Sequence, residues 1–350
     1  MLRKLFLLLI CGALLAAVVA CAAYWQQQKA LAQHLNLEQP LLLEVKPGST
    51  PNGVLNRLEA DGVIEGALWL RLYWRFVLKA PALHSGEYRL QPEDTALHML
   101  DLWRRGEVVQ HQLTLVEGWN FRQVRDALAR QEALEQRLTD LSDDELMARL
   151  GLKGQHPEGR FFPDTYRFTR GMSDEDLLKQ ANNRLEEVLA QEWAERAEGL
   201  PYKDPYAALI MASIIEKETG VPHERGEIAG VFVRRLGLGM RLQTDPTVIY
   251  GMGERYKGRI TRADLRTPTP YNTYTIDALP PTPIAMVGRE AIHAALHPKD
   301  GKSLYFVAKG DGSHVFSNNL DAHNRAVREY QLKRRADYRS SPAPSGSETQ

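Results

Sequence analysis

The sequence is poor in cysteine and has no excess of charge of either sign. Two of its 350 residues are cysteine, Cys11 and Cys21, and both lie in one apolar run near the N-terminus. Beyond that run there is no disulfide, no thiol nucleophile and no cysteine metal site. Stability must come from core burial, which a chain of this length can supply. Lys and Arg number 44, Asp and Glu number 44, and the formal net charge is zero. Such a balance gives no global positive field to gather nucleic acid, so nucleic acid is excluded as a partner. There is no phosphate-cradling Gly-rich loop and no Gly-x-Ser-x-Gly elbow around Ser213. No cofactor is expected.

What the chain does have begins with residues 5–23, which carry no charge. A helix of about 20 apolar residues spans the hydrocarbon core of a bilayer. Arg3 and Lys4 precede the run, and Tyr24 and Trp25 suit its far interface. The pattern predicts an anchor over residues 1–25, with the N-terminus cytoplasmic and the remainder translocated. Val18-Val19-Ala20-Cys21 also reads as a lipobox, and a cleaved signal peptide is a further alternative. The mode of anchoring stays open between them.

Residues 26–40 read as a helical stalk or linker. Leu41-Leu42-Leu43-Glu44-Val45 is a strand candidate, Pro47-Gly48 a turn, and Val54, Leu55, Leu58 and Val63 mark a helix. Gly86-Glu87-Tyr88-Arg89-Leu90 is strand-like, and Thr95 opens a helix through Leu97, Leu100 and Leu102. A related unit follows: Leu113-Thr114-Leu115-Val116, the turn at Glu117-Gly118, and a stripe of Phe121, Val124, Ala127 and Leu128. These strand–turn–helix units resemble LysM-type glycan-binding modules; the plain alternative is a small α+β domain that positions its neighbour.

Further helices are expected over residues 141–151, from Asp174 (Leu177, Leu178, Ala181, Leu185 and Leu189 inward), over residues 223–236 and over residues 320–336. A hairpin is expected between Ser303-Leu304-Tyr305-Phe306-Val307-Ala308 and His314-Val315-Phe316. The Pro-punctuated aromatic loop over residues 157–166 lines a cleft or packs in the core. The expected divisions are a linker at 26–40, a LysM-like subdomain at 41–108, a connecting strand–helix subdomain at 109–160, a catalytic domain at 161–336 and a disordered tail at 337–350.

Chemistry concentrates in the helix that Asp204-Pro205 opens and Gly220 and Pro222 close. Residues 206–215 are apolar nearly all round apart from Ser213, so the helix is expected to be buried. Glu216 and Glu218 stand at its end. Two residues apart, they point about 200° from each other and cannot share one site. Glu218 continues the stripe of Met211 and Ile215, with Thr219 beside it. Apolar walls and the negative end of the helix dipole both favour the protonated acid. Asp245-Pro246 repeats the helix-start signature, so Asp245 is read as a cap. Gln243 suits a sugar N-acetyl group or the backbone, and Tyr271 and Asn272 offer a phenol and a carboxamide in a loop. His293 and His297 form an i, i+4 pair with no zincin glutamate and no evident third ligand. They are read as surface or capping residues, and no metal is expected.

Lys217-Glu218-Thr219 after Ala212-Ser213-Ile214-Ile215 is similar to the signature on the catalytic helix of lysozyme-like lytic transglycosylases. Together with Arg241-Leu242-Gln243-Thr244-Asp245-Pro246-Thr247 and Tyr271-Asn272-Thr273-Tyr274, it closely resembles the YceG-like family of endolytic murein transglycosylases. The resemblance implies an α+β protein. Its parts are an N-terminal transmembrane helix in the inner membrane, a periplasmic LysM-like subdomain, and a mixed α/β catalytic domain with a lysozyme-like catalytic helix. It implies peptidoglycan glycan strands as substrate and peptidoglycan synthases (penicillin-binding proteins) as partners. Catalysis is implied at Glu218, and sugar binding at Thr219, Gln243, Asp245, Tyr271 and Asn272. Two other readings remain: a water-using muramidase with Asp245 as second carboxylate, and a non-catalytic glycan-binding scaffold. The lipobox-like Cys21 departs from the family's plain anchor.

Overall fold

The N-terminal apolar run forms one helix, α1 (Leu2–Ala32), in a computed structural model that describes residues 2–79 and 82–331. Within it Phe6–Ala32, whose most apolar 18-residue window has a mean hydropathy of 2.8, is long and apolar enough to cross a membrane. The expected tail at 337–350, and the end of the last expected helix, lie outside the described residues.

The chain divides into two compact units, the first made of residues 1–112, 132–135 and 167–173. Helix α1 does not end at a loose linker. Ala30 and Leu31 in its last turn, and Leu35 after it, are buried in the core of this unit. Gln33 braces the exit: its amide nitrogen donates to Glu65 O and its amide oxygen accepts from Glu65 N. β1 (Leu41–Val45) follows. α2 (Pro51–Ala60) starts where the Thr50 hydroxyl accepts from Gly53 N, with Pro51 at the first position. α3 (Ala67–Leu72) continues as a π turn over Tyr73–Leu78. β2 (Gly86–Leu90) pairs antiparallel with β1, Leu41 opposite Leu90 and Val45 opposite Gly86. Thr95 caps α4 (Ala96–Arg105) as expected. Its buried face is Ala96, Met99, Leu100 and Trp103; Leu102 packs partly buried against the same core and Leu97 is exposed. The inward stripe keeps the 3.6-residue period from the first residue of the helix, and the leucines fall to either side of it.

The second unit comprises residues 113–131, 136–166 and 174 onward, so most of the expected connecting subdomain belongs to it. β3 (His111–Thr114), at the division, begins two residues before the expected strand. α5 (Phe121–Ala129) opens with a capping box of Asn120 and Gln123 and buries the expected stripe. α6 (Asp143–Arg149) opens with another, Ser142 and Glu145. β4 (Thr165–Phe168) leads to α7 (Asp174–Ala194), whose five expected apolar residues are all buried. α8 (Pro205–Glu218) contacts α7 and three helices that follow it: α9 (Arg225–Gly237), α10 (Asp245–Met252) and, beyond α11 (Arg262–Arg266), α12 (Arg289–Leu296). A short 3-10 turn over Pro222–Glu224 replaces the expected first turn of α9. Gly230 on α9 is a close approach, where a Cβ would lie 2.4 Å from Lys299 O. β5 (Tyr305–Ala308) and β6 (His314–Ser317) form the expected hairpin, Tyr305 opposite Ser317, before α13 (Leu320–Tyr330).

Candidate active site

Helix α8 brings a carboxyl group to the edge of an apolar core. The Asp204 carboxylate accepts from Ala207 N at 2.8 Å, and Pro205 takes the first helical position. Eight consecutive residues, Ala208 through Ile215, are buried. Ser213 is the polar exception, and its hydroxyl is satisfied twice: it donates to Ile210 O at 2.7 Å and accepts from Ile284 N at 3.0 Å. The two glutamates at the helix end diverge. Glu216 accepts from Gly288 N at 3.1 Å, with Arg225 3.8 Å away. Burial first, and the Glu117 charge second, push its carboxyl above the usual range.

Glu218 faces the start of α10. Desolvation pushes its carboxyl up to about 7, the Asp245 charge adds to the rise, and a hydrogen bond from the Thr244 hydroxyl to Oε1 opposes it. At neutral pH such a group can both give and take a proton. Thr244, not Asp245, is the N-cap residue of α10, and its side chain makes no bond to its own helix. Asp245 lies one residue inside, exposed, and its carboxylate accepts from the Tyr274 hydroxyl at 2.7 Å. This corrects the expected cap: the threonine hydroxyl that would ordinarily satisfy the first turn is turned to Glu218 instead. Three threonines hold the arrangement. Thr244 N donates to Thr273 Oγ1 at 3.0 Å, and the Thr247 hydroxyl donates to Thr244 O at 2.8 Å.

Gln243 precedes this turn with φ +53, a left-handed backbone that non-glycine residues seldom take. Its N donates to Thr273 O at 3.2 Å, and its side-chain oxygen accepts from Arg235 at 3.4 Å. Buried Arg235 also donates to Leu304 O, Arg241 O and Leu242 O, and lies over the Tyr305 ring. Gln243, Thr244, Asp245 and Tyr274 thus join Glu218 in one contact network.

The remaining expected residues sit differently. Asn272 is 1% exposed; its amide nitrogen donates to Asp264 O, Leu265 O and Thr267 O, and its amide oxygen accepts from Tyr274 N. That geometry commits Asn272 to building the loop that carries Tyr274. The buried Thr219 hydroxyl accepts from Val221 N at 2.9 Å and shapes the exit from α8. The Tyr271 hydroxyl meets Thr282 at 2.8 Å, and its ring packs edge-on against Tyr250.

Glu158, in the Pro-punctuated loop, is a further buried carboxyl, one that the sequence did not single out. It accepts from Phe121 N and from the Tyr250 hydroxyl, both at 3.0 Å, and burial pushes it up to about 7. Such an acid favours the folded state fully below its ordinary value, 4.5, and the contribution is lost as pH rises to about 7. Glu158→Gln keeps an acceptor without the charge. It is expected to be more stable than the parent at pH 8 by about 1–2 kcal/mol, with no gain at pH 5, in urea denaturation at both pH values.

Among the described residues, Glu192, His293 and His297 bring possible ligand atoms within 4.8 Å of one another. Glu192 is the third group that the sequence did not reveal, because α7 supplies it from far along the chain. Its carboxylate accepts from Arg289 at 2.7 Å and meets His293 Nδ1 at 2.8 Å. Both ring nitrogens of His297 face carbonyls, those of His293 and Glu195. Each of the three side chains thus has a protein partner.

A buried, apolar helix that ends in a carboxyl acid raised to about 7, met by a hydroxyl at the N-cap of α10, has the equipment for acid–base chemistry on an α+β scaffold. Residues 43–329 match the YceG-like family, and the chain belongs to it. An endolytic murein transglycosylase of Bacillus subtilis (strain 168) is 31% identical over 312 residues, covering 82% of this chain and 84% of that protein. One of Streptococcus pneumoniae serotype 2 (strain D39) is 25% identical over 352 residues; the match covers 90% of this chain and 63% of that longer protein. The crystal structure of a yceG-like protein from Listeria monocytogenes shares 31% identity at a TM-score of 0.53, covering 83% of this chain and 99% of that one.

Proposed function

We propose that this chain is a membrane-anchored lytic transglycosylase that cuts peptidoglycan glycan strands internally and so limits their length. The observation that carries the reading is Glu218, a carboxyl raised to about 7 at the end of a buried helix. In its protonated form Glu218 donates to the glycosidic oxygen between N-acetylmuramic acid and N-acetylglucosamine, and the C1–O bond breaks. As a carboxylate it then takes the proton from the muramic C6 hydroxyl, whose oxygen closes on C1. A 1,6-anhydro end results and no water is consumed, so one carboxyl serves both steps, unlike the paired carboxylates of most glycosidases.

Gln243 and Asp245, exposed on either side of Thr244, are placed to meet the sugar. The Asp245 carboxylate, held by Tyr274, supplies a fixed negative charge for the positive charge that develops at C1. Tyr271 offers its ring, while Asn272 and Thr219 act through the backbone they hold. The strand–helix–helix–strand order of β1, α2, α3 and β2 supports a LysM-like role for the first unit in holding glycan. We place α1 in the inner membrane with the remainder periplasmic, beside a peptidoglycan synthase that supplies the strands.

Asp245 also supports a second reading, hydrolysis with that carboxylate activating water. Digestion of purified sacculi followed by mass spectrometry separates the two. The expected fragments end in 1,6-anhydromuramic acid. Fragments heavier by one water, with reducing ends, would replace the proposed reaction with hydrolysis.

A further inference from the structure

The contact between Thr244 and Glu218 distinguishes the two oxygens of the acid. Thr244 is 2% exposed and stands at the N-cap of α10, where a threonine hydroxyl ordinarily accepts from an amide of the first turn. It makes no such bond and donates instead to Oε1 of Glu218. Its neighbours do not compete for that hydroxyl. The Thr247 hydroxyl is directed at Thr244 O, and the Thr273 hydroxyl accepts from Thr244 N. Thr244 is fixed through its main chain at both its N and its O, and a β-branched side chain has little χ1 freedom. An oxygen that already accepts a hydrogen bond is the carbonyl-like oxygen of a protonated carboxyl; the proton belongs on the other.

We propose that Thr244 is a positioning residue that fixes Oε1 of Glu218 and so makes Oε2 the oxygen that gives and retakes the catalytic proton. The inference rests on the reading of Glu218 as the acid. In the forward step the Oε2–H bond breaks as the proton passes to the glycosidic oxygen, and the C1–O bond electrons leave with that oxygen. In the second step Oε2 takes the proton of the C6 hydroxyl as O6 bonds to C1, which restores Oε2–H. Oε1 exchanges no proton in either step. The other ionisable groups around the carboxyl are Asp245 on α10 and Tyr274 in the loop that follows α11, with Arg235 of α9 facing Tyr274.

The test compares the parent with Thr244→Val, Thr244→Ala and Thr244→Ser on purified uncrosslinked glycan strands, following anhydro ends against pH. Valine keeps the shape and removes the donor. Because the hydroxyl does not cap α10, Thr244→Val is expected to melt close to the parent. Its kcat is expected to fall about 10- to 100-fold with KM within about twofold, since the contact serves proton delivery rather than binding. The Thr244 bond opposes the rise in the acid of Glu218. Without it the alkaline limb, where the acid loses its proton, moves to higher pH. Serine is expected to restore both rate and limb. Thr244→Ala removes the same donor without overpacking and carries the test if valine fails to fold. A donor-free variant with parental kcat and an unmoved limb overturns the proposal, as does a serine variant that behaves like valine. Glu218→Gln, run alongside, separates the two failures: if it stays active, the acid assignment falls; if it is inactive while Thr244→Val is unchanged, only the role of Thr244 falls.

Discussion

Glu218→Gln is expected to fold like the parent chain and to release anhydro-ended fragments from sacculi about 10³-fold more slowly, the middle of the range for loss of a general acid–base group. The glutamine carbonyl still accepts from Thr244, so the local packing survives, but the side chain has no proton to deliver. Its stability carries a second signature. The parent acid, raised to about 7, favours the folded state most at low pH and loses that advantage as pH rises through 7. The glutamine variant should therefore be at least as stable as the parent at pH 8, and an inactive but well-folded protein is the expected pair of results. Chromatography of released ends with mass detection, beside a thermal melt, checks both. Parental turnover by this variant would remove Glu218 from the chemistry.

The largest effect on stability is expected at Arg235. Arg235 is 7% exposed, and its guanidinium donates to Leu304 O at 2.6 Å, Leu242 O at 2.9 Å and Arg241 O at 3.0 Å. Alanine would leave these buried and part-buried carbonyls without their donor, at a cost of about 1–3 kcal/mol for each that stays unsatisfied. Allowing for partial relaxation, Arg235→Ala should lose about 3–5 kcal/mol in urea denaturation. The same side chain ties down residues 241–243, so a folded remnant should also lose activity. Arg235→Lys should rescue little, because an ammonium cannot reproduce a planar fork that reaches several carbonyls. A melting point within about 2 °C of the parent for the alanine variant would show that other donors replace the guanidinium.

Much of helix α8 was legible in the sequence because its signals are local. Asp204-Pro205 announces its start, the apolar run announces burial, and a two-residue offset separates Glu216 from Glu218 on any helix. The partner of Glu218 was not legible. Asp-Pro at 245 reads as a cap by composition, but the chain enters the helix one residue earlier, at Thr244, after a left-handed Gln243. Local propensity is silent on that shift, because Arg235 and Thr273, from other elements, hold the turn. Glu158 and Glu192 were missed for the same reason, since each is defined by groups far along the chain. The signal that was available is the set of threonines at 244, 247 and 273, hydroxyls at positions that prove buried.

The weld between α1 and the first unit has a practical consequence. Ala30, Leu31 and Leu35 are ingredients of that unit's interior rather than a tether. A soluble fragment trimmed at the first strand, residue 41, would carry an open seam where those side chains belong. Shaving the chain just after Trp25 instead keeps the whole plug and discards the greasy shaft. The same weld denies the first unit any free swivel about the end of α1, so wherever that shaft is held, the unit takes its heading from it.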